Sequence, residues 1–320
     1  MVICKASEYD CDFQHQVSGI ITVTKGSSRT HYILTEKGMK KAKIKDNEPI
    51  AYNPRTETAL VKELTDSSID IFSVDTSNGK MLSSEIVLKP ERINKNGEPF
   101  LAFPNLLSSC IQNDGTIILL VNYENLLIDK TDSKYSEAAL DSVDFLYVYE
   151  KGDSKKLKKY IFPQNKISDN EKNHDYSWEE PQTIQCTRGN IYLFSEKHYA
   201  NDEAFYHASR PIWLLRKINL NPQKEEKNIT PFALIAYDDI RFAHYFEKEN
   251  AVYSITCSLE EATGQLRVLR LNKGYELPEE VIEKKDGEFL FSETSDGKPL
   301  IFFAKTRNSV EEQKLELLLF

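Results

Sequence analysis

Hydrophobic and polar residues alternate along this chain in short runs. Residues 20–24, 116–121, 190–194 and 300–304 are rich in β-branched and aromatic side chains and stop at glycine, asparagine or charge. Helical spacing of apolar residues is nearly absent. The best helical candidate is 133–141 (SKYSEAALD), long enough for a turn or two. The pattern predicts an all-β chain.

The strands recur in a fixed phase. One strand opens after a turn at 19–23, 58–61, 115–119, 189–193, 250–254 and 297–302. A second follows at 32–34, 69–72, 145–149, 212–215, 266–269 and 315–318. A further strand precedes each pair (13–17, 50–53, 106–112, 182–187, 242–247, 289–293), and a polar strand follows most of them (40–44, 81–88, 157–162, 228–235, 279–283). Gly19, Gly115, Gly189 and Gly297 fall in the first turn of a unit, and Gly38, Gly79, Gly152 and Gly274 in the last, where hairpins call for positive φ. Four antiparallel strands repeated six times predict a six-bladed β-propeller with about 53 residues per repeat. A β-sandwich is the alternative, but it has no fixed four-strand phase. The last repeat lacks its outer strand, while a spare strand stands at 2–6 (VICKA). Pairing that N-terminal strand with the C-terminal blade would close the ring and remove an exposed edge. Residues 1–320 are then one propeller domain.

Two turns carry a resemblance. Asn113-Asp114-Gly115-Thr116-Ile117 and Arg188-Gly189-Asn190-Ile191-Tyr192 are similar to the turn-and-strand core of NHL- or YncE-like six-bladed propellers. The resemblance spans the chain as a pattern and implies the fold, not a particular member. The Gly-His and Trp-Asp pairs of WD40 blades and the Gly-Gly of kelch blades are missing. Ser295-Asp296-Gly297-Lys298 resembles an Asp-box without its aromatic partner, so sialidase chemistry is not implied. Lactonase-like propellers hold calcium on Glu, Asn and Asp at the inner-strand ends. Here those positions carry His15, Tyr52, Cys110, Gln185, His244 and Ser292, with Glu247 and Glu293 close by.

Composition narrows the partners. A net charge of -9 argues against nucleic acid, which would select a basic surface. No apolar run approaches the roughly 20 residues of a membrane span, and no signal peptide is visible at the start. Cys4, Cys11, Cys110, Cys186 and Cys257 are odd in number, widely spaced and free of CxxC, so free thiols in a reducing, cytoplasmic setting are expected. A secreted chain with a replaced N-terminus would read the same. The five lysines within 151–159 read as an outer edge strand protected from pairing.

No GxSxG, HExxH, Walker or GxGxxG motif occurs, so no catalytic residue, metal site or cofactor is assigned. The unusual lengths are the loops 122–144 and 195–211 and the linker 164–181, which a propeller places on one sector of one face. They carry His174, Tyr176, Trp178, His198, Tyr199, Tyr206, His207 and Arg210, the residue types of a binding patch. The expectation is a non-enzymatic binding or scaffold propeller that presents this patch to a protein or glycan. The alternative is a hydrolase or lactonase-like enzyme at the axial mouth, using His15, His244 and nearby carboxylates.

Overall fold

The computed structural model describes residues 2–5, 11–45, 47–95, 98–125, 142–161, 176–187, 189–200, 212–218, 239–257, 264–271, 278–284, 287–305 and 312–319. The N-terminal strand is β1 (Val2–Cys4). Blade 1 is β2 (Cys11–Val17), β3 (Ile20–Lys25), β4 (Ser28–Thr35) and β5 (Gly38–Lys41). Blade 2 is β6 (Glu48–Asn53), β7 (Thr58–Leu64), β8 (Ile69–Asp75) and β9 (Ile86–Leu88). Blade 3 has five strands: β10 (Glu91–Lys95), β11 (Glu98–Ile111), β12 (Ile117–Asn125), β13 (Ser142–Tyr149) and β14 (Leu157–Ile161). Blade 4 is β15 (Tyr176–Thr187), β16 (Asn190–Ala200) and β17 (Ile212–Ile218). Blade 5 is β18 (Asp239–Phe246), β19 (Ala251–Cys257), β20 (Gly264–Arg270) and β21 (Pro278–Glu283). Blade 6 is β22 (Gly287–Glu293), β23 (Pro299–Lys305) and β24 (Gln313–Leu319). Every pairing is antiparallel between sequence neighbours, except that β1 joins β24. The protein is a six-bladed β-propeller, as the strand phase predicts.

The second strands explain why the blades stack. β12 is apolar at every position from Ile117 to Val121 because both of its faces are covered. Side chains of period two are shared out between neighbours. Ile117, Leu119 and Val121 join Leu60, Ile71 and Ile86 of blade 2, while Ile118 and Leu120 join Ile184, Ile191 and Leu193 of blade 4. Four further clusters fill the other gaps. Phe194 and Leu215 meet Ala243 and Val252; Phe246 and Tyr253 meet Phe289 and Phe291; Leu300 and Phe302 meet Ile21 and Leu34; Ile20 meets Ala59 and Val61.

The ring closes through β1. Val2 pairs with Lys314 and Cys4 with Gln313, at the start of β24. Ile3 is buried in the cluster between blades 6 and 1. Of the eight turn glycines predicted, Gly19, Gly38, Gly79, Gly115, Gly152, Gly189 and Gly297 have positive φ; Gly274 lies outside the described residues. The helical candidate 133–141 and the fourth-strand candidate 228–235 also lie outside them. The lysine run does end in an edge strand, β14. Its Lys159 bonds Glu91 Oε2 at 2.6 Å and caps the Phe145 ring at 3.9 Å from the centroid.

The expectation of five free thiols is corrected. Cys110 and Cys186, on the neighbouring inner strands β11 and β15, form a disulfide with a Cα–Cα distance of 5.5 Å. The two are 76 residues apart, so only the stacking of blade 4 on blade 3 brings them together. The inference of a reducing compartment loses its premise. Among the described residues, no helix is long and apolar enough to cross a membrane.

One irregularity recurs. The inner strand slips its register against the second strand between Gln14 and Val17, Pro49 and Ala51, Leu106 and Ser108, Pro181 and Thr183, and Ile240 and Phe242. Only β22 of blade 6 runs without a break. A bulge bends a strand and re-aims the side chains beyond it. Val17, Ala51, Ser108, Thr183 and Phe242, which resume each ladder, all line the central cavity.

Candidate functional site

The inner strands of all six blades converge on a cavity of about 110 Å³. A smaller one of about 40 Å³ lies among the turns from first to second strand, and Tyr52 and Glu293 line both. Much of the polar lining is spent on the ring itself. Ser109 donates to the Ile50 carbonyl (2.9 Å), Ser292 to Leu34 (2.9 Å), and the Ser108 and Thr183 hydroxyls meet at 2.9 Å. Asn53 donates to the Ile111 carbonyl (3.1 Å) and accepts from the Arg55 and Thr56 amides, which sets the turn at the mouth. Arg55 Nε reaches across to the Ser295 carbonyl of blade 6 (3.3 Å).

Tyr52 depends on a bare backbone opposite. A Cβ added at Gly19, where φ is +87°, would meet Tyr52 Cδ1 at 2.7 Å. Burial, reinforced by the charge of Glu57, pushes the Tyr52 phenol far above its usual range, so it stays a proton donor.

The chemistry-bearing group is His244 of β18, 7% exposed. Phe246 packs at 4.4 Å between centroids; at 6.4 Å, Phe242 lies nearly parallel to the imidazole and Phe291 is inclined to it by 25°. Two polar neighbours reach its Nε2: Gln185 Nε2 of β15 at 2.8 Å and Glu293 Oε2 of β22 at 3.9 Å. Gln185 is anchored from behind by the backbone of Tyr245. The Tyr245 amide donates to Gln185 Oε1 (2.9 Å), and Gln185 Nε2 donates to the Tyr245 carbonyl (2.7 Å). Near the mouth, Asp296 is held down to about 2 by its hydrogen bonds from Thr294 and Lys248. It is already committed as an ion pair.

Of the six inner-strand positions singled out in the sequence, Tyr52, Cys110, Gln185, His244 and Ser292 line the cavity together; the His15 side chain lies outside the described residues. The loop patch fares differently. His174, Tyr206, His207 and Arg210 lie outside the described residues. The others sit on strand, not loop: β15 begins at Tyr176 and β16 runs to Ala200, so Trp178 pairs with His198 and Ser177 with Tyr199. Their side chains also lie outside the described residues. Among the described residues no group of three or more His, Cys, Asp or Glu is arranged to hold a metal ion.

No family model matches the chain, and no curated protein matches it in sequence. Solved structures do match in fold. A polysaccharide lyase described as an ulvan lyase gives a TM-score of 0.44 at 10% identity, covering 97% of this chain and 78% of that one. An endo-arabinase from Bacteroides thetaiotaomicron gives 0.42 at 9%, covering 87% and 95%. Hydrazine synthase from Kuenenia stuttgartiensis gives 0.46 at 10%, covering 96% and 84%. At these values the likeness is one of fold.

The expectation of a non-enzymatic binding or scaffold propeller is corrected here. The three solved structures named above are described as a lyase, an endo-arabinase and a hydrazine synthase, not as binding or scaffold proteins.

Proposed function

We propose that the chain is an enzyme that cleaves a bond in a carbohydrate at the axial cavity, with His244 and Glu293 as its acid–base couple. The observation that carries this reading is the approach of Glu293 Oε2 to within 3.9 Å of His244 Nε2 in a cavity reached by all six blades. A neutral imidazole takes a proton from water or from the substrate, and the carboxylate then steadies the imidazolium. The Tyr52 phenol, which lines the same cavity, supplies a donor for the leaving oxygen.

Size supports a limited bite. Pockets that engulf a drug-sized ligand hold about 300–1,000 Å³. A cavity of about 110 Å³ suits one residue of a chain entering from the mouth, not a buried polymer. A glycan is the substrate class this reading favours: Tyr52 and Glu293 offer sugar hydroxyls a donor and an acceptor, and the structures similar in fold include a polysaccharide lyase and an endo-arabinase. The NHL- or YncE-like blade pattern adds no activity of its own. The six cores running round the ring support taking residues 1–320 as one domain.

The test is turnover on a panel of neutral and uronic-acid oligosaccharides. His244→Ala and Glu293→Gln should each lower kcat by about 10²–10⁴ with the fold intact. Equal turnover by His244→Ala and the parent chain would remove the reading.

A further inference from the structure

We infer that Gln185 is a positioning residue that holds His244 as the Nδ1–H tautomer, with Nε2 bare and ready to take a proton. This rests on the acid–base reading above only for its catalytic meaning; the geometry stands by itself.

The orientation of a glutamine amide is decided by its partners, and here the backbone decides it. Tyr245 presents one donor and one acceptor to Gln185: its N–H at 2.9 Å and its carbonyl at 2.7 Å. The carboxamide answers them as a strand would, with Oε1 on the N–H and Nε2 on the carbonyl. A flipped amide would set N–H against N–H and oxygen against oxygen. The Gln185 nitrogen therefore has one hydrogen left, and His244 Nε2 lies 2.8 Å from it. That hydrogen must be accepted, because Gln185 Nε2 has no lone pair to offer. His244 Nε2 is thus the acceptor, and the ring proton is on Nδ1.

The arrangement also defines what happens on protonation. Once Nε2 gains a proton it can no longer face the Gln185 NH2 group. The group next in reach is Glu293 Oε2 at 3.9 Å, an acceptor only. Among the residues lining the cavity, Glu293 and Tyr52 are the ionisable groups besides His244, the cysteines being joined, and of the two Glu293 is the one within reach of Nε2. The proton accepted from the substrate or water moves the Nε2 bond from Gln185 to Glu293. The imidazole alternates between two partners that select opposite protonation states.

The consequence is readable without substrate. Nitrogen-15 spectra of the full chain, with His244 identified by its loss in His244→Gln, should show an unprotonated Nε2 and a protonated Nδ1. A resting Nε2–H tautomer would overturn the assignment. Gln185→Glu keeps an acceptor for the Tyr245 amide but turns the face towards Nε2 into a second acceptor. It should shift His244 to a protonated Nε2, and an unchanged His244 signal would overturn the positioning role. A purely structural glutamine would change the melting temperature and not the tautomer. Because the spectra are taken without substrate, their failure is separate from a failure of turnover.

Discussion

At the residue scale, buried polar groups decide what the axis can do. Gly19 is the clearest steric case. Its φ of +87° and the Tyr52 ring against it leave no place for a methyl group. Gly19→Ala should cost about 1–3 kcal/mol from backbone strain, more if Tyr52 is displaced, measured by denaturant unfolding. Asp144 makes a pH-dependent case. Its carboxyl is buried opposite Asn122, whose Nδ2 donates at 2.7 Å. Burial raises its pKa, the charge of Glu180 adds to that, and the Asn122 bond opposes it. A raised folded value means that this contribution to stability is present below the ordinary value near 3.9 and is lost as pH climbs through the folded one. Asp144→Asn, which keeps the acceptor, should therefore melt at or above the parent chain at pH 7, with the advantage fading below about pH 4. An advantage that grows on acidification would contradict the sign. What the sequence announced at this scale was local. Turn glycines and inner-strand residues such as Gln185 and His244 could be placed by counting. Their contact could not be, because it spans 59 residues and depends on blade 4 standing beside blade 5.

At the scale of elements, strand phase was legible because each blade is built from local hairpins. Unbroken apolar runs in β12 and β23 say both faces are covered, and they are. The ribbon formed by β15 and β16 was not legible. Its outer half, 176–181 and 195–200, mixes aromatic, charged and small residues without alternation, so it reads as loop. β10 went unseen for the same reason: it is a short, charged strand added beside the long β11. The disulfide between β11 and β15 gives a direct check. Intact mass should rise by about two daltons on reduction for this bridge, and no change would return Cys110 and Cys186 to the free thiols first expected. β1 is only three residues long, so its hold on the ring is mostly Ile3. Ile3→Ala should cost about 2–5 kcal/mol, as for other buried aliphatic side chains. A loss near zero would mean that closure does not depend on it.

At the scale of the whole molecule, six blades give the axis a property that no single blade has. Each contributes an inner strand, five of those strands carry a bulge, and the residues beyond the bulges meet in one cavity. Fold alone hosts many chemistries, so the assignment rests on the His244–Glu293 couple and not on the propeller. The most direct measurement is a crystal structure of Glu293→Gln, slowed in turnover, soaked with the oligosaccharide that the parent chain cleaves best. The account predicts a sugar residue in the axial cavity, with an oxygen or the attacking water within hydrogen-bond reach of His244 Nε2. Sugar bound along the outer half of the β15–β16 ribbon, with the axial cavity empty, would contradict it.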